Sequence, residues 1–413
     1  MAERTKLEIA RLGALGDGVA ETPAGPVYVA RALPGELVAV EVAGDRGKLV
    51  AIERASAERV PPACRHFGSC GGCVSQHIGE RLYRDWKRDM VRTAFAHRGL
   101  EPAIEDMVAV PPGRRRRATF AVLRQGSRTL LGFHEEGSHV LVAIGHCPVV
   151  LPQIEAALPA LLAIGEGLPL KDGDKARLSV TATPDGLDVA AFDVTGAIGA
   201  AGQSRIAEIA AAAGIIRVTS SNHIVMQQAV PRLVLGGASV AVPPAAFIQA
   251  TAEAEVAIAA IIADATRKAK RVADLFCGLG TFTFGLARRA RVLAVDGDRV
   301  AVETLATAAR AAPGIKPLET RVRDLLREPL SRTELAEIDA VVLDPPRAGA
   351  KAQAEMLARS KVPLVCAVSC NPATLARDCR ILVDAGYSIE RVVPIDQFVW
   401  SPHVEAVAVL RRR

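Results

Sequence analysis

Hydrophobic positions change their period along the chain, and the changes divide it. Over residues 5–55 apolar residues fall in short or alternating runs: Leu7–Leu12, Val27–Arg31, Leu37–Val42 and Leu49–Ala55. Between them lie Gly16-Asp17-Gly18, Pro23–Pro26, Pro34-Gly35 and Asp45-Arg46-Gly47. Strands this short, at this spacing, predict a small antiparallel OB-like barrel. Such barrels commonly bind nucleic acid, although a fold alone does not fix a function. Pro61-Pro62 ends the segment.

Residues 57–240 carry a mixed signal. Gly79–Arg98 is helix-like and holds Trp86 among many charges; Pro111-Pro112-Gly113 and the run Arg114–Arg117 follow. Four arginines in a row suit a solvated turn. Placed just before the strand-like Ala118–Leu123, they would also send alternate guanidinium groups one way. Val140–Ile144 and Leu178–Thr183 read as strands, and Gln203–Ala213 as an Ala-rich helix. One α+β unit is expected.

From about residue 245 strand and helix patterns alternate. Helices are predicted at Thr251–Lys270, Phe282–Arg289, Arg299–Ala312, Lys351–Arg359 and Pro372–Gly386. Strands are predicted at Arg271–Phe276, Arg291–Asp296, Ala340–Asp344 and Pro363–Ser369, with a strand-like end. This alternation predicts a doubly wound parallel sheet. The expected units are therefore a barrel at 1–56, a central α+β domain at 57–240 and an α/β domain at 241–413.

Composition adds bounds. Half of the residues are hydrophobic, enough for sizeable cores, and the 23% that are charged exclude a disordered chain. No 18-residue uncharged apolar run and no signal-peptide stretch occur, so the expected location is the cytoplasm, with no membrane partner. The net charge is +6, and 41 of the 51 bases are arginine. Arginine suits phosphate recognition, but a G+C-rich genome gives the same bias. Distribution says more: residues 54–128 hold 15 Arg/Lys against 7 Asp/Glu, a basic zone on an otherwise balanced chain. An acidic partner such as nucleic acid fits that zone.

The first strand of the α/β unit runs into Asp274–Phe282, with Gly278 and Gly280 in the turn. Glycines there let backbone approach a ligand at the carboxyl edge of the sheet. A dinucleotide fingerprint would place a third glycine at 283, where this chain has Thr283. A ligand without phosphates, such as S-adenosylmethionine, does not need it. Asp296 ends the second strand, where a carboxylate can accept both ribose hydroxyls. Asp344 heads Asp344-Pro345-Pro346-Arg347 after the next strand; it sits at the ligand edge or caps a turn. Cys370 lies between a strand end and a helix start, where positive potential favours a thiolate nucleophile. Cys366 and Cys379 read as packing residues. Glu405 begins the last strand as a candidate general base, or as an ordinary surface acid.

Eight cysteines in a chain without an export signal are not expected to form disulfides. Cys64, Cys70 and Cys73 crowd into ten residues with a glycine-rich Phe67–Cys73 segment, and Cys147 precedes Pro148. Four thiolates fit tetrahedral zinc or an iron–sulfur cluster.

Taken together, these segments resemble the bacterial S-adenosylmethionine-dependent RNA uracil-5 methyltransferases, in particular the iron–sulfur branch acting on 23S ribosomal RNA. Residues 5–55 resemble that family's TRAM barrel, including the Pro34-Gly35-Glu36 turn. Cys64, Cys70, Cys73 and Cys147 match its four [4Fe-4S] ligands. Phe247–Gln249, Asp274–Phe282, Asp344–Gly349, Ser369–Arg377 and His403–Glu405 match its catalytic motifs in order.

The resemblance implies Cys370 as nucleophile and Glu405 as base. It implies cofactor contacts at Gln249, Phe276, Thr281, Asp296, Asp324 and Asp344, the last of which would hold either the uracil or the cofactor's amine. Thr281 and Asp296 stand where relatives often have Asn and Glu, and Pro346 where they often have Ala. The implied partner is RNA, foremost 23S ribosomal RNA, bound by a monomer without an obligate protein partner. The alternatives are a uracil-5 methyltransferase of the tRNA T-loop, or a non-catalytic metal-containing RNA-binding protein.

Overall fold

The computed structural model describes residues 3–221 and 223–413. The N-terminal segment forms a six-stranded sheet. Glu3–Glu8 lies at one edge beside Leu37–Ala43, and Arg11–Leu12 lies at the other beside Gly18–Thr22. One continuous stretch thus supplies both edges, so the sheet curls around Ile9, Val29, Val38 and Val40. The expected single strand Leu7–Leu12 is interrupted at Ile9 and Ala10, whose amides turn to Glu36 and Val19. Gly18, read as part of a turn, starts a strand instead. A Cβ there would meet the Ala32 carbonyl at 2.7 Å, so glycine serves close approach.

The middle of the chain builds a seven-stranded sheet from Leu141–Ala143 at one edge to His223–Gln227 at the other. Helices Leu158–Gly167 and Ala200–Ala212 pack on it through Leu161, Ile164, Ile206 and Ala210. The α+β expectation holds for this sheet but not for all of 57–240. Helix Glu80–Ala96 buries Val91 and Phe95 against Leu375, Leu382 and Val392 of the C-terminal unit. Val108–Ala109 pairs with the strand Tyr387–Asp396. At the other end, the hairpin Arg232–Leu235/Ala238–Ala241 joins the C-terminal core through Leu233, Leu235 and Val240. Apolar stripes on these pieces find their partner surface across the boundaries drawn from composition.

The C-terminal sheet has eight strands. Its order is Leu318–Val322, Arg291–Asp296, Arg271–Leu275, Ala340–Leu343, Leu364–Ser369, Glu405–Arg412, Tyr387–Asp396 and Val108–Ala109. The first five run parallel; four of them match the expected strands, and Leu318–Val322 is a parallel edge strand absent from the expectation. Glu405–Arg412 is antiparallel to its neighbours, which corrects the all-parallel reading. Strand order reverses between Arg271–Leu275 and Ala340–Leu343, and a crevice at such a reversal is the usual ligand position. Two helices are shorter than predicted. Ala252–Ala265 ends where the Thr266 hydroxyl bonds back to the Ile262 carbonyl, and Thr283–Ala287 is a short helix of five residues. Among the described residues, no helix is long and apolar enough to cross a membrane.

Candidate active site

At the carboxyl edge the first parallel strand stops one residue earlier than predicted, because Phe276 takes φ 62 and turns the chain. Its amide and that of Cys277 both bond to the Val295 carbonyl, fixing the turn to the next strand. Gly280 follows at φ 90, and a Cβ there would meet Leu305 and Phe284 at 2.9 Å. Glycine is required on both counts. Asp274 is buried beneath this turn, where Oδ2 accepts from the Thr283 hydroxyl at 2.5 Å and Oδ1 has no partner. Thr283, the residue that breaks the dinucleotide fingerprint, therefore holds this acid. Burial is the main cause raising Asp274, to about 7.

Asp296 lies alongside and accepts from the amides of Gly278 at 2.9 Å and Asp298 at 2.8 Å. Thr281 is half-buried in the same turn. Asp324 follows the neighbouring strand at the same edge, near Gly297, and its carboxylate caps Leu326 at 3.0 Å.

A chain of side chains then crosses the crevice. Gln249 Nε2 donates to Asp344 at 2.8 Å; Gln397 Nε2 donates to Gln249 Oε1 at 2.9 Å and to Glu405 Oε2 at 2.7 Å. Gln397 Oε1 accepts from the Ala250 amide, so its orientation is fixed. Glu405 is 3% exposed, and its Oε1 has no partner. It is therefore no surface acid. Burial first, then Asp344, pushes it up to about 8. Asp344 itself is raised to about 7, mainly by burial. Asp274 and Glu405 are buried and Asp344 is half-buried, and among the described residues none of the three carboxyls has an ion-pair partner.

Cys370 sits across from Glu405: the strands are paired so that Ser369 faces Ala406. Asn371 caps the following helix through Oδ1 and the Ala373 amide at 3.1 Å, and its own amide bonds to Ser369 Oγ. The expected favouring of the thiolate is not found. Burial, then Glu405, pushes the thiol up to about 11, against a lowering by Arg347. The helix start is outweighed by desolvation and by a neighbouring acid.

Of the arginine run, Arg116 turns to the Gln249 carbonyl and Glu255. Arg115 lies near enough to Cys73 and Cys147, and Arg117 near enough to Cys370, for their charges to interact. The solvated-turn alternative fails, since Arg116 is buried. Arg117 also lies over the ring of Phe247, 4.3 Å from its centroid.

The four clustered cysteines lie at the seam between the cysteine loop and the seven-stranded sheet. They are near enough that Cys64, Cys70 and Cys147 all raise the thiol of Cys73, which burial chiefly pushes up to about 12. Cys64 and Cys70 accept from the amides of His66 and Gly72 at 3.4 Å. Gly71 is needed for the loop's approach to the sheet, because a Cβ there would meet the Glu136 amide at 2.8 Å. Among the described residues, no three His, Cys, Asp or Glu side chains close to the spacing of a single metal ion. Neither expectation for these thiols, tetrahedral zinc or an iron–sulfur cluster, is shown by this arrangement.

The pattern of the tRNA (uracil-5-)-methyltransferase family matches residues 238–413. An uncharacterized RNA methyltransferase of Agrobacterium fabrum is 45% identical over 410 residues, 98% of each chain. The 23S rRNA (uracil(1939)-C(5))-methyltransferase RlmD of Halomonas elongata is 33% identical, covering 98% of this chain and 89% of its own. Among solved structures, the Pyrococcus abyssi tRNA (uracil-54, C5)-methyltransferase in complex with S-adenosyl-L-homocysteine superposes with a TM-score of 0.76. That match covers 98% of this chain and 100% of the other at 23% identity, and is a likeness of fold.

Proposed function

This chain belongs to the RNA (uracil-5-) methyltransferase family, and from that premise we propose that it methylates carbon 5 of a uridine in 23S ribosomal RNA, with Cys370 as covalent nucleophile. The observation that carries the reading is that Cys370 and Glu405 each flank the paired Ser369 and Ala406, at the ends of adjacent strands on the ligand edge. A 23S rRNA enzyme among the full-length relatives supports the choice of RNA.

S-Adenosylmethionine is the proposed donor, and the residues fit it. The buried carboxyls of Asp274 and Glu405 and the half-buried one of Asp344, without a counter-ion among the described residues, and the orphaned Oδ1 of Asp274, suit a ligand with a cationic sulfur and an amine. Asp296 and Asp324, at adjacent strand ends, suit the ribose side; Gln249, Phe276, Thr281 and Asp344 complete the wall. When bound, the donor supplies an electrophilic methyl group.

The protein's share of the chemistry follows from the pair. Carbon 5 of uracil is a poor nucleophile until sulfur adds at carbon 6. Cys370 gives its thiol proton to solvent water and, as the thiolate, forms that S–C bond, while the ring's electrons move towards carbon 5. Arg347 and Arg117 offset the cost of charge on sulfur. After the methyl group is in place, Glu405 takes the carbon-5 proton; the ring double bond re-forms and expels the thiolate. Both residues are too recessed for a stacked base, so the uridine must leave its stack.

The curled N-terminal sheet is read as a TRAM barrel which, with the basic zone, holds the RNA backbone. The four thiols are read as ligands of a [4Fe-4S] cluster. Amide donors on the sulfurs are what thiolate ligands need to disperse charge, and a cluster does not require single-ion spacing.

The test is to map 5-methyluridine in ribosomal and transfer RNA from a strain lacking the protein, then complement with Cys370→Ala. Loss of one 23S rRNA mark, not restored by Cys370→Ala, is expected. Loss of a T-loop mark instead would move the substrate to tRNA. An unchanged pattern, or full rescue by Cys370→Ala, overturns the reading.

A further inference from the structure

Tyr83, Lys87, Val91 and Phe95 follow one another at four-residue intervals and form the buried stripe of helix Glu80–Ala96. Lys87 is the anomaly, a fully buried ammonium in an apolar row. Each of its three hydrogens has a partner, and all three partners belong to one stretch of chain. Nζ donates to Asp396 Oδ1 at 3.0 Å, to the Phe398 carbonyl at 3.3 Å and to the His403 carbonyl. Tyr83 adds two bonds to the same stretch: its hydroxyl donates to Asp396 Oδ2 at 2.5 Å and accepts from the Trp400 amide at 2.9 Å.

The stretch is the last residue of the strand Tyr387–Asp396 and the loop 397–404 after it. The loop begins at Gln397, which orients Glu405, and leads directly into Glu405. Lys87 therefore staples the two ends of the loop, Phe398 and His403, to one nitrogen. The apex is held from the other side, because the Trp400 carbonyl accepts from Val74 at 2.8 Å and from Ser75 at 3.3 Å, directly after Cys73. Trp400 has φ 60, a conformation disfavoured for its side chain and maintained by these bonds.

We propose that Lys87 is a positioning residue for methyl transfer: its ammonium fixes the loop 397–404, and through it the hydrogen-bonded pair Gln397–Glu405. The inference rests on Glu405 being the base. A buried lysine costs desolvation that a methionine would not, so its retention has to be explained by what its three donors hold. An error of about 1 Å in a catalytic group costs about 100-fold in rate.

The test uses the full-length protein with Lys87→Met, Tyr83→Phe and, as reference, Glu405→Gln. Lys87→Met should speed amide exchange within 397–404 by about tenfold or more. It should lower kcat by about 100-fold with the KM for RNA within about threefold. Because the lagging step is proton removal, it should accumulate a denaturant-stable RNA–protein adduct, as Glu405→Gln should. Tyr83→Phe, which keeps the ammonium, should shift all three in the same direction by less, and carries the test if Lys87→Met does not fold. Unchanged exchange in 397–404, or slowed turnover without adduct where Glu405→Gln gives one, overturns the proposal. If Glu405→Gln itself keeps full turnover, the base assignment fails, and the proposal fails with it.

Discussion

Gln397 donates from Nε2 to Oε2 of Glu405 at 2.7 Å, inside a pocket that buries both side chains. Burial and Asp344 lift this carboxyl from an ordinary 4.5 to about 8, and the Gln397 hydrogen bond works against them. A base must be ionised to act, so kcat should rise about tenfold per pH unit up to that value and then level. Stability has the opposite sign. A raised folded value means that the carboxyl's contribution is fully present below 4.5 and lost as pH rises through about 8. Gln397→Leu removes the bond that lowers Glu405, so the rising limb should move up by about one pH unit, with about tenfold less activity at pH 7. Single-turnover rates across pH would measure this. A limb that stays in place would assign the titration to another group, with Cys370 the first candidate.

How much of this was legible in the sequence depends on what each signal needed. Parallel strands buried on both faces, such as Ala340–Leu343 and Leu364–Ser369, read as unbroken apolar runs, and the alternation with helices followed. Cys370 and Glu405 could be placed because strand ends can be placed. The strand Gly18–Thr22 could not, since its first glycine looks like a turn and is there for contact with Ala32. Gln397 carries no signal of its own; its role exists only because Gln249 and Glu405 meet at it in space. Thr283 was visible only as a failed glycine. Lys87 did leave a trace, a charge at a stripe position four residues from Tyr83 and Val91, and stripe arithmetic alone does not say what neutralises it.

The cysteine reading makes a compositional prediction. Protein purified without oxygen should carry about four irons and four sulfides per chain and be coloured. Cys147→Ser removes the one proposed ligand from outside the Cys64–Cys73 loop, and should lose the iron. It should also lower the melting temperature, because the loop would then be held to the sheet only by bonds such as Gly71 to the His134 carbonyl. Metal analysis with sulfide determination decides between the options. Zinc without sulfide would replace the cluster with a tetrahedral thiolate site.

Phe247 is 68% exposed, two residues from the buried Gln249, and the Arg117 guanidinium carbon lies over its ring, 4.3 Å from the centroid. A large aromatic face left open at the lip of a catalytic crevice, backed by a cation, is the surface on which an unstacked base settles. Nε of Arg117 is buried without a partner, so the guanidinium is held by the stack rather than by hydrogen bonds at that nitrogen. Stacking of a base on an aromatic side chain contributes about 1–3 kcal/mol by alanine substitution, or about 5- to 150-fold in affinity. Phe247→Ala should therefore raise the KM for RNA by that range while leaving the affinity for the methyl donor within about twofold. Phe247→Trp should retain most of the wild-type KM, because any flat aromatic serves. Arg117→Lys should behave more like the alanine variant, since an ammonium lacks the planar face. Calorimetry with the donor alone and kinetics with an RNA fragment separate the two terms. Weakened donor binding with an unchanged KM for RNA would place Phe247 in the wall of the donor pocket instead.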